Sequence, residues 1–219
     1  MAFLKDRTDF IRWYYDTAGV KFREIMRKIE TGEAPYEPPY SEDPEPPFLS
    51  EWIEAETGLD VLGRNCISML SASLQLYFKT WEAELGVTWE EGERKPAFKY
   101  GFLRGYQTCF GEVLKLSWNE CPADLELIEQ VVIARNRDQH PETTTSMRVS
   151  HSYKERKRHR HLFFVSVSER RMFDDPAMAD IAWMNPSVHV SCELLFQALD
   201  QVETLAEWLE PHMIKRKYR

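Results

Sequence analysis

The sequence predicts an all-α protein: an up-and-down helical bundle with one basic insertion before its last helix. Three observations lead there. Apolar residues recur at three- and four-residue spacing over several long stretches, the period of helices that bury one face. Breaks rich in Gly, Pro and Asp separate those stretches, as short connections between antiparallel helices require. One segment, Thr143 to Pro186, loses the helical period altogether. With 219 residues, 43% apolar composition, seven Trp and twelve Phe, there is enough material for one sizeable core. Residues 1–219 are therefore expected to form a single domain.

Thr8 to Glu30 reads as the first amphipathic helix, with Phe10, Trp13, Tyr14, Thr17, Ala18, Lys21, Phe22, Ile25, Met26 and Ile29 at three-four spacing, Lys21 being the one polar slip, and Gly32 ending it. Residues 31–49 form a connector, since six of the twelve prolines lie between Ala34 and Phe48 and proline gives no backbone donor. Ser50 to Thr57 reads as a short helical entry with Ser50 as its cap. Asp60 to Leu85 follows as a long second helix, and Gly86 to Pro96 as a polar loop. Lys99 to Trp118 makes the third helix, where Gly101, Gly105 and Gly111 point to close helix contacts. Pro122 and Asp124 mark the start of a fourth. Its apolar residues, Leu125 through Ala134, lead directly into the run R-N-R-D-Q-H. Residues 143–187 are the insertion, holding K-E-R-K-R-H-R-H and then L-F-F-V-S-V-S. That last piece alternates like a strand, with R-R-M-F as its returning partner in a β-hairpin. Val188 or Val190 to His212 resumes as a final helix carrying Leu194, Leu195, Ala198, Leu199, Val202, Leu205, Ala206 and Leu209.

Composition excludes several classes. No run of 18 uncharged apolar residues occurs, so no membrane-spanning helix is expected. The opening M-A-F-L-K-D-R-T-D-F carries charges where a secretory signal needs its apolar segment, which predicts a cytoplasmic protein. Cys66, Cys109, Cys121 and Cys192 lie far apart, with no C-x-x-C pair and no zinc-like spacing. They read as reduced buried thiols, with no metal and no cofactor implied. The net charge of −8 is unevenly spread. Arg148 to Arg171 holds eight Lys/Arg against two Glu, so this segment is +6 and the remainder −14. An acidic body with one basic segment suits a local polyanion site. Lys154, Arg156, Lys157, Arg158 and Arg160 are the candidate RNA-phosphate contacts. His151, His159 and His161 lack acidic or Cys partners nearby and make a poor metal site.

The chemistry concentrates at Arg135 to His140. Asn136 and His140 stand at i and i+4 and share a helix face. Pro141 disfavours helical geometry at His140, which puts the histidine at the helix end. An imidazole titrates where proton transfer near neutral pH is useful. Beside it, the Arg135 guanidinium offers permanent charge and a planar donor fork suited to phosphate. Such parts suit RNA cleavage without metal. One imidazole takes the 2′-OH proton, another donor protonates the leaving 5′-oxygen, and arginines stabilise the phosphorane. The run offers one such histidine, whereas two copies about a two-fold axis offer two His and two Arg to one phosphate.

Arg135-Asn136-Arg137-Asp138-Gln139-His140 resembles the R-N-x-x-x-H form of the R-x4-6-H motif in HEPN-domain ribonucleases. The architecture is similar too, for that family is a helical bundle with the motif late in the chain, before a final helix. The resemblance implies a metal-independent endoribonuclease with a composite cleft in a homodimer. It also implies a toxin or antiviral defence effector, with an antitoxin or regulatory protein as a further partner. Arg135 and His140 would be catalytic and Asn136 an orienting residue. One departure concerns regulation: some toxin members carry Tyr two residues after the His, where this chain has Glu142. The second reading, from another class, is a catalytically silent helical module that binds a nucleotide or a partner. A third, a structural dimerisation protein, would tolerate changes at both Arg135 and His140.

Overall fold

The computed structural model describes residues 2–40, 44–90, 92–140, 148–159, 161–174 and 185–218. Among them the helices run α1 (Ala2–Thr31), α2 (Leu49–Glu84), α3 (Arg94–Ala97), α4 (Phe102–Leu114), α5 (Leu125–Gln139), α6 (Tyr153–Arg158), α7 (Val167–Asp174) and α8 (Cys192–Lys217). A 3-10 turn at Trp118–Glu120 joins α4 to α5. The protein is an all-α bundle. Among the described residues no helix is long and apolar enough to cross a membrane.

The centre is α2, which packs against α1, α5 and α8. Leu62, Cys66, Ile67, Leu70, Leu74, Tyr77 and Phe78 supply its buried side. Opposite it, α8 presents Leu195, Ala198, Leu199, Val202, Leu205, Ala206, Leu209 and Met213, all buried at three-four spacing. Each fully buried Leu, Val or Phe contributes about 1.5–3 kcal/mol by leaving water, and both rows belong to one apolar core. Cys66 and Cys109 are buried thiols within it, and all four cysteines are free. Burial pushes the Cys66 thiol up to about 12 and that of Cys109 to about 11, which keeps both protonated and inert.

Several expectations need correction. Over its first half the buried face of α1 is rotated from the one the sequence marks, whereas Phe22, Ile25, Met26 and Ile29 are partly buried as expected. Leu4, Thr8, Ile11 and Tyr15 are buried, while Phe10 and Trp13 are exposed with their rings 5.6 Å apart. Apolar residues cover more of the surface of α1 than its neighbours α2 and α8 can take in. The second difference is that α2 is one helix, not a short entry and a long successor, and Ser50 lies inside it rather than capping it. Gly58 marks no break. A Cβ there would stand 2.6 Å from the Phe22 ring, so the glycine lets α1 and α2 close together.

The third helix of the sequence reading is also shorter than expected. Gly101 has φ +123°, which ends any helix entering from Lys99, and α4 begins after it. The preceding loop instead holds α3, anchored through Glu82. That buried carboxylate accepts from Trp89 Nε1 (2.7 Å), Arg94 (3.2 Å) and Tyr106 Oη (2.6 Å).

The hairpin expected in the insertion is absent among the described residues. Its basic part is helix α6, closed by a capping box in which the Ser152 hydroxyl accepts from Glu155 N and the Glu155 carboxylate accepts from Ser152 N. The R-R-M-F piece lies in α7. Between them Phe164 and Val165 are both buried, which an alternating strand does not allow. The Gln130 side chain takes the place of a strand partner: Phe163 N donates to its Oε1 (2.9 Å), and its Nε2 donates to His161 O (2.7 Å). A single bridge, Ser150 to Ser187, is the only β pairing among the described residues. Val188 and Val190 are buried but lie before the helix, and Ser191 caps α8 by accepting from Leu194 N.

Candidate active site

The Asp124 carboxylate accepts from the backbone N–H of Glu126 and Leu127 and so starts α5. Leu127, Ile128, Gln130, Val131, Val132 and Ala134 then bury the inner face of that helix. The run from Arg135 to His140 occupies its last turns. His140 N still donates to Asn136 O at 3.2 Å, but His140 itself leaves the helix with φ −128° and ψ 64°. The backbone therefore turns away at the histidine, as expected for a residue followed by proline. Pro141 and Glu142 lie outside the described residues.

The run divides into two sets. Asn136 and His140 are exposed. Arg135 is half-buried and donates from one terminal nitrogen to Asn136 Oδ1 at 2.9 Å. Its Nε is buried without a hydrogen-bond partner among the described residues. Arg135 and Asn136 are thus in contact, and His140 stands one turn beyond Asn136.

Arg137 and Asp138 face inward. Arg137 Nε donates to both carboxylate oxygens of Glu155 on α6, at 2.9 and 3.2 Å. Asp138 accepts from Arg64 Nε at 3.0 Å and from Ser68 Oγ at 3.5 Å. The Arg64 side chain is only 5% exposed and also pairs with Asp60, which in turn pairs with His189 Nδ1 at 3.1 Å. An ordered chain of charges therefore runs His189, Asp60, Arg64, Asp138. Burial works against the Asp60 carboxylate, but the His189 hydrogen bond and the Arg64 charge outweigh it and hold Asp60 below its ordinary value. In return, the hydrogen bond to Asp60 raises the His189 imidazole against the opposing effect of burial. His189 and Asp60 border a groove of about 690 Å³ with Arg148, Glu169 and Ser187.

The basic run is only partly available. Arg158 pairs with Glu129 and donates to Tyr100 O at 2.8 Å. Arg156 lies over the Phe173 ring, 4.9 Å from its centroid. Lys154 and Lys157 are exposed, the latter 4.8 Å from the Tyr153 ring centroid. Arg160 lies outside the described residues. Because Glu155 meets Arg137 while Arg158 meets Glu129, α6 lies antiparallel along α5. The structure thus joins the two regions that the sequence marks separately.

Of the insertion histidines, His151 and His159 are buried and His161 is exposed. Burial lowers the His151 imidazole, while the hydrogen bond to Phe164 O opposes that. No group of three His, Cys, Asp or Glu side chains among the described residues is placed to hold a metal ion. Sequence reasoning missed Asp60, Arg64 and His189. A signal was present in D-V-L-G-R-N-C-I-S-M-L, where one Arg stands four residues after an Asp in an apolar helix and needs a carboxylate if buried. Comparison of the chain with protein-family models, with curated proteins and with solved structures gives no match in any of the three.

Proposed function

We propose that this protein is a metal-independent endoribonuclease that cleaves RNA by attack of a 2′-hydroxyl on the adjacent phosphate. The observation that carries the reading is the division of the run. Arg137 and Asp138 are held in ion pairs that fix the end of α5, while Asn136 and His140 remain open to solvent beside Arg135. In this reading His140 transfers the proton of the 2′-hydroxyl or of the leaving oxygen. Arg135 stabilises charge on the phosphorane, and Asn136 orients the Arg135 guanidinium through its amide oxygen. A second copy of the chain, related by a two-fold axis, supplies the opposite imidazole and guanidinium to complete the site. Regulation by an antitoxin or another protein, and a role as a toxin or antiviral effector, belong to the same proposal.

A catalytically silent module is the other reading. One observation favours it: a groove of about 1090 Å³ does not include Arg135 or His140 in its lining. RNA cleavage in EDTA, with wild type beside His140→Ala and Arg135→Ala, separates the two. Cutting by wild type alone, leaving 2′,3′-cyclic phosphate ends, is the expected result. Equal cutting by all three would overturn the site, and no cutting by any, with RNA still bound, would favour the silent module.

A further inference from the structure

The groove of about 1090 Å³ lies between α4, α6 and the first two turns of α5. Its walls combine four kinds of group that unpaired nucleotides use. Tyr100 offers an aromatic face: it is 67% exposed, while its own carbonyl is pinned by Arg158 at 2.8 Å. The ring is therefore outward on an anchored backbone, the arrangement of a stacking platform. Trp118 forms a second aromatic wall, fixed by its indole N–H donating to Gln107 O at 2.8 Å. Arg104 is exposed on α4 and has no carboxylate partner among the described residues, which leaves its donor fork available for phosphate. Asn119 and Glu126 add polar groups to the lining.

A second, independent observation concerns His159. Its side chain lines this groove and is 4% exposed, yet Nε2 has no hydrogen-bond partner among the described residues. Buried polar atoms are seldom left that way; His159 borders both this groove and a smaller cavity lined by Arg156, His161 and Phe173, and its Nδ1 is the ring atom turned to the Glu126 carboxylate of this groove.

We propose that this groove is a subsite for an unpaired, amine-bearing base of a single-stranded nucleic acid that continues along α6 to the Arg135–His140 run. The identity of that strand as RNA rests on the endoribonuclease reading; the subsite itself does not. Direction follows from the antiparallel packing of α6 on α5. Glu126 and His140 are 14 residues apart on α5 and its cap, a separation of about 21 Å at the helical rise. Lys154 and Lys157 lie exposed on α6 between the two ends, where they meet the phosphates of a strand spanning a few nucleotides.

Base preference follows from Glu126, whose side chain is 46% exposed and has His159 Nδ1 3.4 Å from one carboxylate oxygen. A carboxylate accepts from an exocyclic amine, as in recognition of cytosine. Cytosine, adenine and guanine carry such an amine and uracil does not. The other carboxylate of the groove, Glu129, is already paired with Arg158.

The test uses the full chain carrying His140→Ala and fluorescein-labelled octanucleotides of 2′-O-methyl RNA, which lack the attacking hydroxyl. Anisotropy at low salt should give tighter binding of oligo(C) than oligo(U). Tyr100→Ala should weaken oligo(C) binding by roughly tenfold or more, within the range for one stacked base, and Tyr100→Phe should restore it. Glu126→Gln should narrow the preference for oligo(C), and Arg104→Ala should lower the salt slope by about one. Binding unchanged in both Tyr100→Ala and Arg104→Ala overturns the subsite, as does the absence of binding to either strand. Cleavage of ordinary RNA by the chain with His140 intact keeps the two proposals apart. Cutting with Tyr100-independent binding leaves the endoribonuclease and removes the subsite. Tyr100-dependent binding without any cutting does the reverse.

Discussion

The two faces of the last turns of α5 carry residues of similar type under opposite conditions. On the inner face Arg137 and Asp138 meet Glu155 and the nearly buried Arg64. On the outer face Asn136 and His140 are exposed, and half-buried Arg135 donates to Asn136 Oδ1. The difference teaches that charge in a short run need not share one purpose. Ion pairs satisfied within the bundle fix where the helix end sits. Polar groups left in water are the ones able to meet a substrate.

The largest expected effect comes from breaking the inner face. Arg64→Ala leaves Asp60 and Asp138 without their shared partner in a poorly solvated site, at a cost of about 3–5 kcal/mol. Urea unfolding should move accordingly, and a shift below about 1 kcal/mol would make the charge chain unimportant to stability. His140→Ala should do the opposite: an unchanged unfolding midpoint, with cleavage reduced by at least about 100-fold, as befits a proton-transfer group.

The chain of charges also predicts a pH dependence with a definite sign. His189 is raised above its ordinary 6.5 by Asp60, with Glu56 and Glu169 adding in the same direction. Its contribution to stability is therefore complete below about pH 6.5 and is lost as pH rises through the higher folded value. Asp60 is lowered below its ordinary 3.8, so its contribution is present above that and is lost on acidification through the lower folded value. His151, lowered by burial, acts oppositely to His189 and costs stability as pH falls below 6.5. His189→Asn should therefore remove a decline in stability that sets in as pH rises above about 6.5, while leaving the His151 contribution in place. Equal pH profiles for wild type and variant would rule out the His189–Asp60 pair as the source. The smallest effect should come from the exposed basic residues: Lys154→Ala and Lys157→Ala should each lower the salt slope of RNA binding by about one, uniformly across sequences.

Much of the bundle was legible because long amphipathic stretches announce themselves. The Asp124 cap of α5 and the seam of α8 from Leu195 to Leu209 follow from local pattern alone. The continuity of α2 from Leu49 to Glu84 was not legible, because a glycine such as Gly58 under the Phe22 ring and a glycine at a break look alike in sequence. Helices of six and eight residues, such as α6 and α7, are too short for a period to emerge. Their capping signal, Ser152 followed by Glu155, was nevertheless present. At the site, Arg135, Asn136 and His140 could be marked from spacing. The pairing of Asp138 with Arg64 crosses 74 positions, and nothing local encodes it.

Gln130 has a consequence for how the insertion is ordered. Its amide clamps the chain at His161 and Phe163, while Val149 and Phe164 carbonyls receive Val188 N and His189 N. The excursion from α5 to α8 is thus fastened partway along as well as at its ends. In chain order the Gln130 contacts divide the excursion into two shorter spans, each closed at both ends by described residues. Because closure entropy grows only with the logarithm of the length closed, lengthening either span would disturb the Gln130 contacts little. Replacing Gln130 with Leu would undo them at once, by stranding a carbonyl and an N–H beside the core.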